Sequence, residues 1–116
     1  MGWNQRVYLN SAQIYVCKNC KTHLATEANV ISKDFSGKLG EAYLMWQVVN
    51  SEEDEFEERE MRTGKHVVCD IYCSRCRNYV GWKYCYAFLS SERYKEGKYL
   101  LEAARLTRSG YDRDDD

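Results

Sequence analysis

The sequence contains no proline, so no stretch of it reads as a proline-rich spacer. It has no apolar run long enough to cross a bilayer, and its start lacks the apolar core of a secretory signal. Met1-Gly2 opens like an N-myristoylation site, yet Arg6 stands where serine or threonine is needed. Strong charge of one sign is missing as well. A formal net charge of −1 argues against a generic attraction to nucleic acid, and no basic stripe is visible. Histidine is scarce: His23 and His66 are the only two, and neither is spaced to serve Cys85 as a catalytic base. These absences predict a soluble intracellular protein. In that reducing setting, paired cysteines are expected to hold metal rather than form disulfides.

What the chain does contain is cysteine in a pattern. Cys17-Lys18-Asn19-Cys20 and Cys73-Ser74-Arg75-Cys76 are two C-x₂-C knuckles, separated by the stretch Lys21 to Tyr72. One such turn presents two thiolates to a single ion, and two turns complete the tetrahedral set that Zn²⁺ prefers. Four protein ligands leave no open position for water or substrate, so the spacing predicts one structural zinc and no metal chemistry. Cys69 and Cys85 lie outside the knuckles and read as small strand residues, partly buried. Aromatic residues make up 14% of the chain, with ten Tyr and three Trp. That is more than the core of one 116-residue domain needs, so some should be exposed and available to a partner.

Along the chain, residues 1–12 are a polar lead-in with a short strand expected at Arg6 to Leu9. Gln13 to Val16 reads as a strand entering the first knuckle. Thr22 to Gly40 is irregular, punctuated by Asp34, Ser36, Gly37 and Gly40. Ala42 to Asn50 suits a buried strand. Ser51 to Arg62 sets seven carboxylates against two arginines, which fits a solvated loop or an exposed edge, with acidic bait for a basic partner as the sharper alternative. His66 to Tyr72 is a strand entering the second knuckle. Tyr79 to Phe88 alternates with period two, placing Val80, Trp82, Tyr84, Tyr86 and Phe88 on one face. Lys98 to Glu102 is read as a strand after a polar turn, and Ser109 to Asp116 as a disordered tail. The expected architecture is a mainly β single domain: a zinc-binding unit over residues 13–104 between the lead-in and a polar tail over 105–116.

The chain resembles the Yippee-like family. The resemblance rests on Cys20-Lys21-Thr22-His23-Leu24, Ile31-Ser32-Lys33, Gly40-Glu41-Ala42-Tyr43-Leu44 and Val48-Val49-Asn50. It continues through Thr63-Gly64-Lys65-His66, Asp70-Ile71-Tyr72-Cys73, Gly81-Trp82-Lys83-Tyr84 and Tyr94-Lys95-Glu96-Gly97-Lys98. It spans residues 13–104 and departs at the ends and in the more acidic Ser51 to Phe56. The resemblance implies a zinc-stapled β-tent of two antiparallel sheets meeting near the ion. It implies a non-enzymatic regulator of nucleus and cytoplasm, in some members near centrosome or spindle, acting as a subunit or modulator of a CTLH/GID-type ubiquitin-ligase assembly.

Two alternatives stand beside that expectation. Gly81-Trp82-Lys83-Tyr84 is similar to the strand that walls the ligand cage of cereblon, which makes Trp82 and Tyr84, with His66 nearby, candidates for reading a peptide end or small ligand. Tyr84-Cys85 is similar to the nucleophile region of methionine sulfoxide reductase B, but Tyr86 and the absence of a following Asn depart from that enzyme.

Overall fold

Two hairpins, each turned by a C-x₂-C knuckle, organise the molecule. In this computed structural model residues 6–109 are described. The first hairpin joins β1 (Ile14–Cys17) to β2 (His23–Thr26), and the second joins β7 (Gly64–Cys73) to β8 (Tyr79–Ala87). Between them run β3 (Val30–Gly37), β4 (Gly40–Met45), β5 (Ser51–Glu53) and β6 (Glu57–Met61), followed at the end by β9 (Tyr99–Glu102) and β10 (Leu106–Ser109). The strands form two antiparallel sheets, as the β-tent expectation requires. The small one has the order β10-β1-β2; the large one runs β3-β4-β9-β8-β7-β5, with β6 also pairing β7.

The main core lies between the sheets, where Tyr15, Leu24, Met45, Ile71, Val80, Leu101 and Leu106 pack together. A second cluster, Ala42, Leu44, Val68, Trp82, Tyr84 and Leu100, fills the opposite face of the large sheet. Apolar residues on both faces of β4, β8 and β9 are what central strands buried on two sides require.

Several sequence expectations change. Residues 6–9 form no strand; side chains supply the pairing instead. The Val7 N–H donates to Asn50 Oδ1 at 2.9 Å, Asn50 Nδ2 returns a bond to Val7 O at 2.8 Å, and the Leu9 N–H donates to His23 Nδ1 at 2.9 Å. The stretch expected to be irregular, Thr22 to Gly40, holds β2 and β3. Its register with β4 slips twice, between Val30 and Ser32 and between Ser32 and Phe35, which scrambles the alternation that would reveal a strand. Strand β4 ends at Met45, and Trp46 is exposed. The domain also runs past residue 104: Leu106–Ser109 pairs with β1 across the register Cys17↔Leu106 to Ile14↔Ser109. Residues 110–116 of the expected tail lie outside the described residues. The acidic run forms the exposed edge rather than a loop, since β5 and β6 flank β7 with glutamates facing water. Charge on an edge strand opposes pairing with another chain.

One buried carboxylate closes the β3–β4 turn. Glu102 is fully buried at the end of β9. It accepts the Lys38 N–H at 2.8 Å, the Leu39 N–H at 3.2 Å and the Tyr79 hydroxyl at 2.7 Å. Burial, then the Glu102 contact, pushes the Tyr79 phenol far above its ordinary range. Glu102→Ala removes the acceptor that these three donors share and is expected to cost about 3 kcal/mol. Glu102→Gln should lose clearly less. Urea unfolding of both variants checks this, and equal losses would contradict the assignment.

Candidate metal centre and its flanks

The two knuckles are built alike. In each, the first cysteine closes the turn with two backbone bonds: Cys17 N to Thr22 O at 2.8 Å with Lys21 N to Cys17 O at 2.8 Å, and Cys73 N to Asn78 O at 2.9 Å with Arg77 N to Cys73 O at 2.8 Å. The residue after each second cysteine adopts a left-handed conformation, Lys21 at φ 66° and Arg77 at φ 68°. Each knuckle thus presents its two cysteines from the same turn geometry. Asn50 locks them together. Its side chain donates to His23 O at 2.8 Å, and its carbonyl accepts the Ser74 N–H of the second knuckle at 2.8 Å.

All four sulfurs lie within 4.8 Å of one another. Cys17 Sγ stands 3.6 Å from Cys76 Sγ, and Cys20 Sγ 3.5 Å from Cys73 Sγ. A tetrahedron with Zn–S bonds of about 2.3 Å has S–S edges of about 3.8 Å, so the donor set fits zinc. Burial pushes the Cys17 thiol up to about 12 and raises Cys73 too. Burial alone would also raise Cys20, but the Thr22 hydroxyl at 3.0 Å, the Thr22 N–H and the neighbouring thiols outweigh it and bring Cys20 down to about 6. Zinc must therefore displace protons from Cys17 and Cys73 as it binds. The four-cysteine set leaves no vacant position, so zinc here cross-links the sheets.

Of the three candidate ligand-reading residues, Trp82 and Tyr84 line a cleft and His66 does not reach the surface. His66 is fully buried; its Nδ1 meets Gly64 O at 3.0 Å and its ring lies against Tyr84. Trp82 and Tyr84 do share a face, edge to face at 6.1 Å, but are only 5% and 3% exposed. They form the floor of a cleft of about 460 Å³ walled by Phe35, Met61, Arg62, Tyr94 and Lys95. Lys95 already sits among its rings, 5.3 Å from the centroids of Phe35 and Tyr84 and 5.8 Å from Tyr94. Its buried ammonium is held by Glu92 at 2.8 Å and Thr63 at 3.1 Å. Nothing in the sequence marks Lys95 as buried, because a lysine in a polar turn ordinarily faces water.

A bulge explains where the exposed aromatics went. Val68 faces Tyr84 and Val67 faces Tyr86, leaving Cys85 as the extra residue on β8. The insertion flips the phase of the strand. Tyr86 and Phe88, expected on the face of Trp82, are instead 42% and 43% exposed and meet edge to face at 5.0 Å. Leu89 is exposed beside them, and Arg93 and Lys65 lie over the two rings.

Comparison with known proteins agrees with this geometry. The family profile described as Yippee zinc-binding/DNA-binding/Mis18, centromere assembly, matches residues 13–115. A yippee-like protein of Solanum tuberosum is 50% identical over 95 residues, covering 82% of this chain and 74% of its own length. One from Caenorhabditis elegans is 47% identical over 103 residues (88% and 75%). Yippee-like 3 of Oryzias latipes is 45% identical over 109 residues (92% and 92%). The crystal structure of the Mis18 Yippee-like domain shares the fold, with a TM-score of 0.65 at 14% identity over 84% of this chain and 94% of that one. None of these names carries an enzymatic activity. With its paired knuckles, its β-tent and relatives of this similarity, the chain belongs to the Yippee–Mis18 family of zinc-binding domains.

Proposed function

We propose that this protein is a non-enzymatic adaptor, a subunit or modulator of a CTLH/GID-type ubiquitin-ligase assembly, working in nucleus and cytoplasm. The observation that carries the non-enzymatic part is the closed four-cysteine centre, which staples the sheets and leaves no site for metal-assisted chemistry. Cys85, the one cysteine weighed as a nucleophile, meets Cys69 and the Lys83 carbonyl rather than a base. Lys33, Lys38, Lys65, Arg77 and Lys83 each face a carboxylate, which favours a protein partner over nucleic acid. Among the described residues no helix is long and apolar enough to cross a membrane.

The contact we assign is Tyr86, Phe88 and Leu89, with the acidic edge from Glu52 to Glu60 as a second. Exposed aromatics clustered beside cations are the residue types that dominate protein interfaces. The test is a quantitative pull-down from the native host with zinc content verified first. Ligase subunits should come down with wild type and fall about tenfold or more with Tyr86→Ser/Phe88→Ser, the effect of losing a hot spot. Wild type that captures no ligase subunit overturns the reading. Trp82→Ala is the wrong probe, because removing that buried ring costs about 3–5 kcal/mol of stability.

The cleft supports a second reading, recognition of a peptide end or small ligand. The Trp82 indole N–H has only the neighbouring Tyr84 hydroxyl for company and no well-aligned hydrogen bond, in the floor of a concave site. Lys95 already fills the ring faces, so a cationic ligand is excluded and a neutral or acidic one is favoured. Peptides with free carboxyl ends should raise the melting temperature of wild type and not of Tyr94→Ala; no shift with any such peptide removes this reading.

A further inference from the structure

The cysteines outside the metal centre sit together. Cys69, in the middle of β7, is fully buried, and Cys85 on β8 is partly exposed. Cys69 faces Lys83 across the ladder, and the place two residues further along β8 lies diagonally opposite it. Cys85 occupies that place as the bulged residue, and the two sulfurs are 3.8 Å apart. Lys83 lies on the same side of the strand. Its ammonium is anchored by Glu53 at 3.5 Å and stands over the Tyr99 ring, which places positive charge on the face where the two sulfurs meet. The metal centre uses neither thiol.

We propose that Cys69 and Cys85 are a modification site: a dithiol that peroxide converts reversibly to a cross-strand disulfide while the zinc stays bound. Cys85 is the exposed partner and reacts first. Its thiolate attacks hydrogen peroxide, the O–O bond breaks, and the outer oxygen leaves as water after taking up a proton, with Cys85 now a sulfenic acid. The Cys69 sulfur then attacks Cys85 Sγ. The S–O bond breaks, and the hydroxyl departs as a second water with the Cys69 proton. Two electrons pass from the sulfurs to the peroxide oxygens, and a small dithiol returns them. Cys69 cannot lead, since burial pushes its thiol up to about 12 and removes it from the oxidant. The zinc thiolates are slower targets because their lone pairs are engaged by the metal.

The experiment uses the zinc-loaded chain treated with hydrogen peroxide near one equivalent. Native mass spectrometry should show the loss of two hydrogens with zinc retained. Digestion should yield one cross-linked peptide pair containing Cys69 and Cys85, which dithiothreitol separates. Cys85→Ala should abolish the mass loss and leave Cys69 open to alkylation once the protein is unfolded. Should the cross-link form only after zinc has left, or should Cys85 proceed to sulfinic acid with Cys69 still free, the proposal is overturned. Because mapping is done on wild type, the result does not depend on how the variant folds.

Discussion

Cys17→Ser is expected to leave the chain unfolded at room temperature, and excess chelator should do the same to wild type. Zinc bound by such a domain contributes on the order of 10–16 kcal/mol of apparent free energy near neutral pH. The net stability of a typical domain is about 5–15 kcal/mol. Losing one of four ligands removes much of the first quantity from a total that cannot spare it. The geometry makes the effect global. The Cys17–Cys20 knuckle belongs to the small sheet and the Cys73–Cys76 knuckle to the large one, so a shared ion ties together halves that share one interior. The sign with pH follows from the thiols. Burial raises Cys17 and Cys73 in the metal-free protein, so zinc must displace protons from them and its apparent affinity rises with pH. Thermal unfolding followed by circular dichroism checks the mutation, and competition with a chromogenic chelator at two pH values checks the sign. A Cys17→Ser protein that melts cooperatively near the wild-type temperature would sink this account of stability.

Gly81→Ala is expected to be nearly as damaging, at about 3 kcal/mol or more. Gly81 lies between Ile71 on β7 and Leu101 on β9. A methyl group there would land on the Leu100 carbonyl oxygen, 2.9 Å from Leu100 C and 3.1 Å from Leu101 Cα. These are backbone atoms in the middle of a sheet, and they cannot swing aside as a side chain can. Relief requires β8 and β9 to separate where Trp82 pairs with Leu100. Gly97→Ala is the control: nothing stands within 4 Å of its added methyl, but φ is +82°, so it should lose only about 1–2 kcal/mol of conformational strain. Urea midpoints of the two variants separate crowding from strain. Equal losses would mean that the close approach of β9 is not what requires glycine at 81.

The metal centre was legible because its signal is chemical. Two thiols on a tight turn, twice, need no knowledge of the fold to be recognised. Strand β8 was legible from Trp82 to Tyr84 because alternation is a local property. The prediction failed at a bulge on either side: Val80, expected on the face of Trp82, is an extra residue that packs in the core between the sheets, and at Cys85 a second bulge inserted by pairing with β7 reversed which aromatics face water. No local pattern encodes that shift, since it depends on the register of a strand that begins at Gly64. Strand β3 was hidden for a related reason, its two slips against β4. Strand β10 escaped notice because Thr107, Arg108 and Ser109 are polar, and only Leu106 turns into the core. His66 was expected to help read a ligand, yet it is fully buried, because the ring it packs against, Tyr84, is brought there by pairing with a strand far along the chain.

The partners of β1 have a consequence for biosynthesis. Its neighbour on one side, β2, follows directly, whereas the other, β10, is the final strand among the described residues. A chain emerging from the ribosome therefore offers the Cys17–Cys20 half-site long before Cys73 and Cys76 exist, and it exposes an edge of β1 until the final strand is translated. Folding must wait for contacts between distant parts of the chain, the regime of slow β proteins with aggregation-prone intermediates. A stop codon just after Ala104 would spare all four zinc ligands and still leave that edge permanently uncovered, so the product should be prone to self-association despite an intact metal-binding motif.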